Sequence, residues 1–283
     1  MTRLLATLTK KKIILPVYHT VAEQPLPHIK HLYRMKTVTE FQKDLDFLLQ
    51  HFEPIDVETL HYLHTNQIIP QKPVFHLTFD DGLQEMYEIV APILLKKGVP
   101  ATFFVNSGFV DNKALFFRHH ASLAIEYGNF SQQQADDFLG KEKPYLTTEQ
   151  IKSLSNNGFT IGAHSIDHPY YYQIPLDEQL RQTRESLDFV TSIVNQKLKL
   201  FAFPFTDFKV SKDFFEALEP HVDLTFGTAG LKNDEIFYNL QRIGAEKDKH
   251  EPLASILKKE YTRYIVKSFL NKNTIYRNKV TCV

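Results

Sequence analysis

Short apolar runs alternate along the chain with segments whose apolar residues recur every three or four positions, the pattern of strands interleaved with amphipathic helices. Residues 13–19, 74–79, 101–105, 159–163, 198–203 and 222–226 read as strands, nearly continuously apolar, β-branched or aromatic, as expected of a buried parallel sheet. Between them, Thr37 and Glu40 form a capping box ahead of Phe41, Leu45, Leu48, Leu49 and Phe52 at helical spacing. Residues 56–63 read as a short strand and helix, and residues 83–97 as a helix kinked at Pro92 and stopped at Gly98. Helices are also expected after Thr147 or Thr148, over 177–194 and over 211–218. Strand, helix and strand in succession make right-handed parallel units. Their repetition predicts an α/β fold, a closed or nearly closed barrel whose strands present their C-terminal ends, and with them any site, on one face.

Three stretches depart from this rhythm. Residues 20–36 form a polar connection carrying His28, His31 and Arg34, expected to be a surface loop with solvated histidines. Residues 111–146 hold a helix over 114–127 and a Gln-rich polar piece over 131–137, an insertion too short for a core of its own. Beyond Lys247, residues 253–270 read as a helix, and Lys258, Lys259, Arg263, Lys267, Lys272, Arg277 and Lys279 make this end basic. A solvated helix face and tail is the first reading of it, and contact with anionic lipid headgroups or an anionic glycan the second. The expected organisation is a barrel over residues 1–247 with the insertion, then a basic helix and tail over 248–283.

Composition narrows the function classes. Lys plus Arg and Asp plus Glu balance at 33 each and the pI is near 7.2, so the footprint of a nucleic-acid binder is missing. The single cysteine, Cys282, excludes an internal disulfide and a Cys-based zinc site, and its next-to-last position does not fit prenylation. Residues 1–12 lack the apolar core of a signal peptide, and no apolar run reaches membrane-spanning length. The expectation is a cytoplasmic chain, membrane-associated only if its basic end makes that contact.

The chemistry sits where strands stop. Thr78-Phe79-Asp80-Asp81-Gly82 places two adjacent carboxylates at the end of the run over 74–79. Like charges so close resist burial unless a cation, a basic partner or a proton-transfer role holds them. A helix cap from Asp80 or Asp81 is the alternative. His164 and His168, four apart after the strand over 159–163, could turn their rings to one side and share a metal ion, or face solvent from a polar turn. With Asp81 they make two histidines and a carboxylate, the ligand set of a catalytic zinc-like site that leaves room for water.

Thr78-Phe79-Asp80-Asp81-Gly82 and His164-Ser165-x-x-His168 resemble the first two motifs of the polysaccharide deacetylases, carbohydrate esterase family 4, or NodB homology domain. The resemblance runs roughly from Ile13 to Ile243 and implies a distorted (β/α) barrel of about seven strands, with Asp80 as general base and Asp81, His164 and His168 holding a divalent metal, Zn2+ being the expected ion. The third motif departs: Phe201-Ala202-Phe203-Pro204-Phe205 carries Ala202 where many members have an arginine that steadies the base. Arg242 could supply that charge from a later strand end, and it is grouped with Phe203, Pro204 and Phe205 among the substrate-binding residues. A late Leu-x-His that supplies the catalytic acid in many members is also missing, since after His221 only His250 remains. Tyr18-His19 instead resembles the first strand of a permuted branch, the exopolysaccharide deacetylases of biofilm matrices, which implies His19 as general acid.

The resemblance thus implies a metal-dependent N-deacetylase releasing acetate from an N-acetylated amino sugar in a polysaccharide, oligosaccharide or glycolipid. The missing third-motif arginine motivates the alternative, a catalytically lapsed carbohydrate-binding barrel.

Overall fold

The computed structural model describes residues 2–246 and 251–279, so Cys282 and His250 lie outside the described residues. The barrel strands are β1 (Pro16–Tyr18), β2 (Leu77–Phe79), β3 (Ala101–Val105), β4 (Thr160–Ala163), β5 (Leu200–Ala202), β6 (Leu224–Gly227), β7 (Asn239–Gln241) and β8 (Ile243–Gly244). They form one parallel sheet in the order β7-β6-β5-β4-β3-β2-β1-β8. β7 and β8 are one run interrupted at Arg242. The Arg242 N–H donates to Gly227 O at 3.1 Å on one side, and those of Ile243 and Ala245 donate to Leu15 O at 2.8 Å and Val17 O at 3.0 Å on the other. This last run therefore joins both edges of the sheet and nearly closes the barrel, removing the open edge that a parallel sheet would otherwise expose. Its seven staves match the number expected: six come from the runs read as strands, and the seventh is the run over 239–244, where the sequence places Arg242 at a later strand end.

Below the barrel the run over 74–79 is split. Val74–Phe75 pairs with Ile13–Ile14 and Glu53–Pro54 in a separate small sheet. The break falls at buried His76, whose ring nitrogens lie 2.8 Å from Ile55 O and 2.8 Å from Thr102 Oγ1. Above it, alternation along β3 sends Phe103 outward, where it meets Phe79 and Phe159, and Phe104 inward against Phe226. The Phe104 ring occupies the space beside Gly162, where an added Cβ would fall 2.2 Å from two ring carbons. Gly162→Ala is expected to cost about 1–3 kcal/mol in chemical denaturation, the penalty of overpacking a filled core.

Several local expectations change. Over residues 83–97 the expected helix forms as one continuous run that opens with a wide π turn over Met86–Val90 and continues as Ala91–Lys97; Pro92 sits at the junction, where the π turn accommodates its missing N–H, and Gly98 at φ +63° ends the run. The Gln-rich piece is the start of a helix, Gln132–Glu142, because Ser131 and Gln134 form a capping box. Together with the helix Phe117–Tyr127 it roofs the barrel through Phe109, Phe116, Leu139 and Tyr145, which pack with Ile29 and Leu83. His28 is not solvated: it is 4% exposed, edge-on to His119, and burial lowers its pKa to about 4, leaving it neutral.

The helix Leu253–Phe269 buries Leu253, Ile256, Leu257 and Tyr261 in the main core. Its first N–H donates to Asp44 Oδ1 at 2.8 Å, and the other oxygen of that buried carboxylate meets Lys36 at 2.9 Å. Arg277 is not a solvated tail cation, because its guanidinium is buried against Asp207 and Asp234. No helix among the described residues is long and apolar enough to cross a membrane.

Candidate active site

Parallel strands bring their C-terminal ends to one face, and the polar residues that follow them converge there. Asp80 and Asp81 follow β2, His164 follows β4, and Arg242 sits in the break between β7 and β8. Asp80 is 3% exposed and Arg242 is fully buried. The Arg242 guanidinium grips the carboxylate with both forks, Nη1 to Oδ1 at 2.6 Å and Nη2 to Oδ2 at 2.7 Å, while Nη1 also reaches Thr78 Oγ1 at 3.3 Å. Burial alone would raise the Asp80 pKa, but the Arg242 charge and its hydrogen bonds, with His164 nearby, hold it below the usual carboxylate range. Arg242 thus stands where the missing third-motif arginine would act. Completely buried, it does not face substrate, which corrects its grouping with the substrate-binding residues.

Neither aspartate caps a helix. Asp81 instead turns out of the strand in the left-handed region, at φ +75°, followed by Gly82 at φ +61°. A non-glycine residue held there stores backbone strain, which here aims the carboxylate at the histidines. Asp81 Oδ1 lies 3.1 Å from His168 Nε2 and 3.4 Å from His164 Nε2. The ligand atoms of Asp81, His164 and His168 all fall within 4.8 Å of one another. All three residues are buried, yet Asp81 Oδ1 has no hydrogen bond of good geometry. His164 Nδ1 is 2.8 Å from Ala202 O and donates its proton there, which leaves Nε2 turned towards Asp81. Burial, ahead of the opposing pull of Asp81, lowers the His168 pKa and keeps that ring neutral. Two imidazole nitrogens and an orphaned buried carboxylate oxygen are a donor set that fits a divalent cation.

Sequence reasoning missed Asn106, although it too follows a barrel strand. Its amide donates to His164 O and, at 3.4 Å, to Ser165 Oγ, which accepts the His168 N–H at 3.0 Å. Asn106 thereby fixes the turn between the two histidines, in which Ser165 and His168 adopt φ +70° and +61°.

His19 follows β1 on the same face. Its Nδ1 lies 2.6 Å from Glu246 Oε2, and its backbone N–H donates to the same oxygen at 3.0 Å. Burial pulls the His19 pKa down, but the hydrogen bond and charge of Glu246, with the charges of Asp81 and Asp80, raise it to about 9. The His19 side chain is 35% exposed while that of Glu246 is 4% exposed, so the ring is open to a ligand and its anchor is not. Sequence reasoning missed Glu246 as well, 227 positions away. The Tyr33 ring leans on His19 at 4.7 Å.

Of the aromatic-proline segment, Phe203 is not a groove wall. It is fully buried, packed against Tyr171, Phe214 and Phe215, because it continues the outward side of β5. Pro204 is buried too. Phe205, at φ +57°, does line the site: it stacks on Tyr170 at 3.9 Å and meets the edge of His168 at 4.4 Å. Phe116 from the insertion meets the same histidine at 4.6 Å.

A family model described as polysaccharide deacetylase matches residues 68–219. Among solved structures, the deacetylase PplD of Streptococcus pyogenes, in complex with acetate, superposes with a TM-score of 0.65 at 20% identity, covering 87% of this chain and 97% of that one. IcaB of Ammonifex degensii gives 0.63 at 18% identity with the same coverage, and a de-N-acetylase of Aggregatibacter actinomycetemcomitans gives 0.63 at 14%, over 88% of this chain and 99% of that one. At such identities these likenesses show the fold. YxkH of Bacillus subtilis (strain 168) is 22% identical over 177 residues, 62% of this chain, and the match spans about half of that relative, 52%. Since the family model spans more than half of the 283 residues and takes in the acid pair and both histidines, the chain belongs to the polysaccharide deacetylase family.

Proposed function

We propose that the chain is a metal-dependent hydrolase that removes acetate from an N-acetylated amino sugar in a glycan or glycolipid. Members of its family hydrolyse non-peptide amide bonds. The single observation that carries the reading is an ionised Asp80, clamped by Arg242, beside an orphaned Asp81 oxygen that faces the Nε2 atoms of two histidines. The same clamp removes the motive for a lapsed, purely binding barrel, because the arginine missing from the third motif is supplied from another strand end.

Asp81, His164 and His168 would hold the divalent ion, with Zn2+ favoured by two nitrogens and one oxygen. Such an ion supplies Lewis-acid polarisation and makes a nearby water more acidic. Asp80 takes the proton from the attacking water, its carboxylate held in place by Arg242. The Phe205 N–H, on the loop against His168, donates to the oxyanion that forms at the acetyl carbonyl. His19 gives its proton to the departing nitrogen, since an amine anion is too basic to leave unprotonated, and Glu246 holds the ring through Nδ1 so that Nε2 carries that proton. The products are acetate and a free amino sugar.

Metal titration by calorimetry tests the roles. Asp81→Ala, His164→Ala and His168→Ala are each expected to abolish tight binding of zinc, while Asp80→Asn binds it and releases no acetate. Full occupancy in His168→Ala would remove the ligand assignment.

A further inference from the structure

Next to the aromatic wall of the site lies a second cavity, of about 750 Å3, which takes no part in the chemistry above. It begins at Thr206, one residue beyond Phe205, on the loop that follows β5. The loop after β6 lines it with Lys232, and the C-terminal segment closes it with Tyr276 and Lys279. It therefore opens on the strand-end face that carries the site. We propose that this cavity is a subsite for an anionic group, a phosphate or a carboxylate, on a sugar neighbouring the N-acetylated one; the proposal rests on the deacetylase reading and extends it to substrate class.

Three observations carry it. First, the lining is cationic: Lys209 and Lys232 have no ion-pair partner among the described residues, and Lys279 has only a long contact, 3.5 Å, with exposed Glu216. The one acid in the lining, Asp207, is already satisfied, by Asn239 at 2.8 Å, Gln241 at 2.6 Å and the Arg277 guanidinium. Second, two large aromatic side chains stand open at the cavity, Phe208 at 63% exposure and Tyr276 at 75%. Exposed rings beside cations suit a pyranose face bearing a charged substituent, whereas a solubilising surface would bury or omit them. Third, the wall is preformed. Thr274–Ile275 pairs with Asn233–Asp234, the Lys212 N–H donates to Asn278 O at 2.9 Å, and Arg277 stacks over Phe215 at 4.4 Å while donating to Asp207 O at 2.8 Å. A volume of this size falls within the range of small-molecule sites and spares a ligand the cost of ordering the loops. A concave cavity flush with the site favours a glycan over a flat lipid surface.

The test compares three probes: a hyaluronan tetrasaccharide for carboxylate, a phosphodiester-linked N-acetylhexosamine oligomer for phosphate, and the neutral N-acetylglucosamine tetramer. Binding is read by calorimetry with chelator present, so that turnover does not intrude, and acetate release is measured separately on the metal-loaded chain. In Lys209→Gln/Lys232→Gln, affinity for at least one anionic probe is expected to fall roughly 5- to 10-fold, the combined worth of two partly exposed ion pairs, and the probe that responds names the group. Affinity for the neutral tetramer should change less than about twofold. Phe208→Ala should weaken all three probes. Equal affinities across probes in the unaltered chain, no loss in the double variant, or lysine dependence seen only with phosphatidylglycerol vesicles would each overturn the subsite. Acetate release bears on the deacetylase reading and binding on the subsite, so the titration decides the subsite whether or not any of the three probes is turned over.

Discussion

Replacing His19 by alanine should cut acetate release on the order of 10²–10⁴-fold while zinc binding stays intact. The loss is large because the leaving nitrogen must be protonated as its bond breaks, the task proposed for His19, a strand-end ring held by a buried carboxylate. The pH profile gives a sharper signature. In the proposed mechanism the acid form of His19 is the active one, and its pKa is raised to about 9, so kcat/KM should hold through neutral pH and fall as pH rises through about 9. Glu246→Gln removes the interaction that raises the value and leaves the burial that lowers it, so the alkaline limb should move down by on the order of two units. In His19→Ala the limb should vanish from any residual activity. An unchanged limb in Glu246→Gln would show that the titrating acid is another group.

Arg242→Met should both destabilise the barrel and silence it. A buried carboxylate that loses its partner costs about 3–5 kcal/mol, because Asp80 would be left charged in a site closed to water or be forced to take up a proton. Without Arg242, burial is left to raise the Asp80 pKa, and a carboxyl that stays protonated cannot act as a base, so activity should fall even at temperatures where the variant is folded. The same reasoning sets the control. Asp80→Asn/Arg242→Met removes both charges and should recover most of the lost stability in chemical denaturation, with no recovery of activity. A single variant within about 1 kcal/mol of the unaltered chain would contradict a buried, water-excluded pair.

The clustering of Asp81, His164 and His168 was legible because adjacency in the fold followed from adjacency to strand ends. Asp81, His164 and His168 each follow an apolar run, and a parallel barrel collects such positions on one face. Arg242 was legible as a candidate only, since a guanidinium buried without exposure reads in sequence like any surface arginine. Glu246 gave no signal: it lies beyond the last strand and meets His19 only because the run over 239–245 closes the barrel beside β1. Asn106 could have been found, as it ends β3 in the way that Asp80 ends β2. The aromatic-proline segment reads in sequence as one surface, whereas alternation along β5 sends Phe203 into the core and leaves Phe205 at the site. His28 reads as solvated because the loop around it is polar, and only the insertion folding over that loop buries it.

Acetate release from a panel of N-acetylated glycans, measured alongside bound metal, tests the central claim most directly. The metal-loaded chain should release acetate from at least one member, lose that activity with chelator and regain it with zinc, while Asp80→Asn retains the metal and releases none. Chelator-insensitive release, or a metal-loaded chain that binds these glycans and frees no acetate from any of them, would contradict the account.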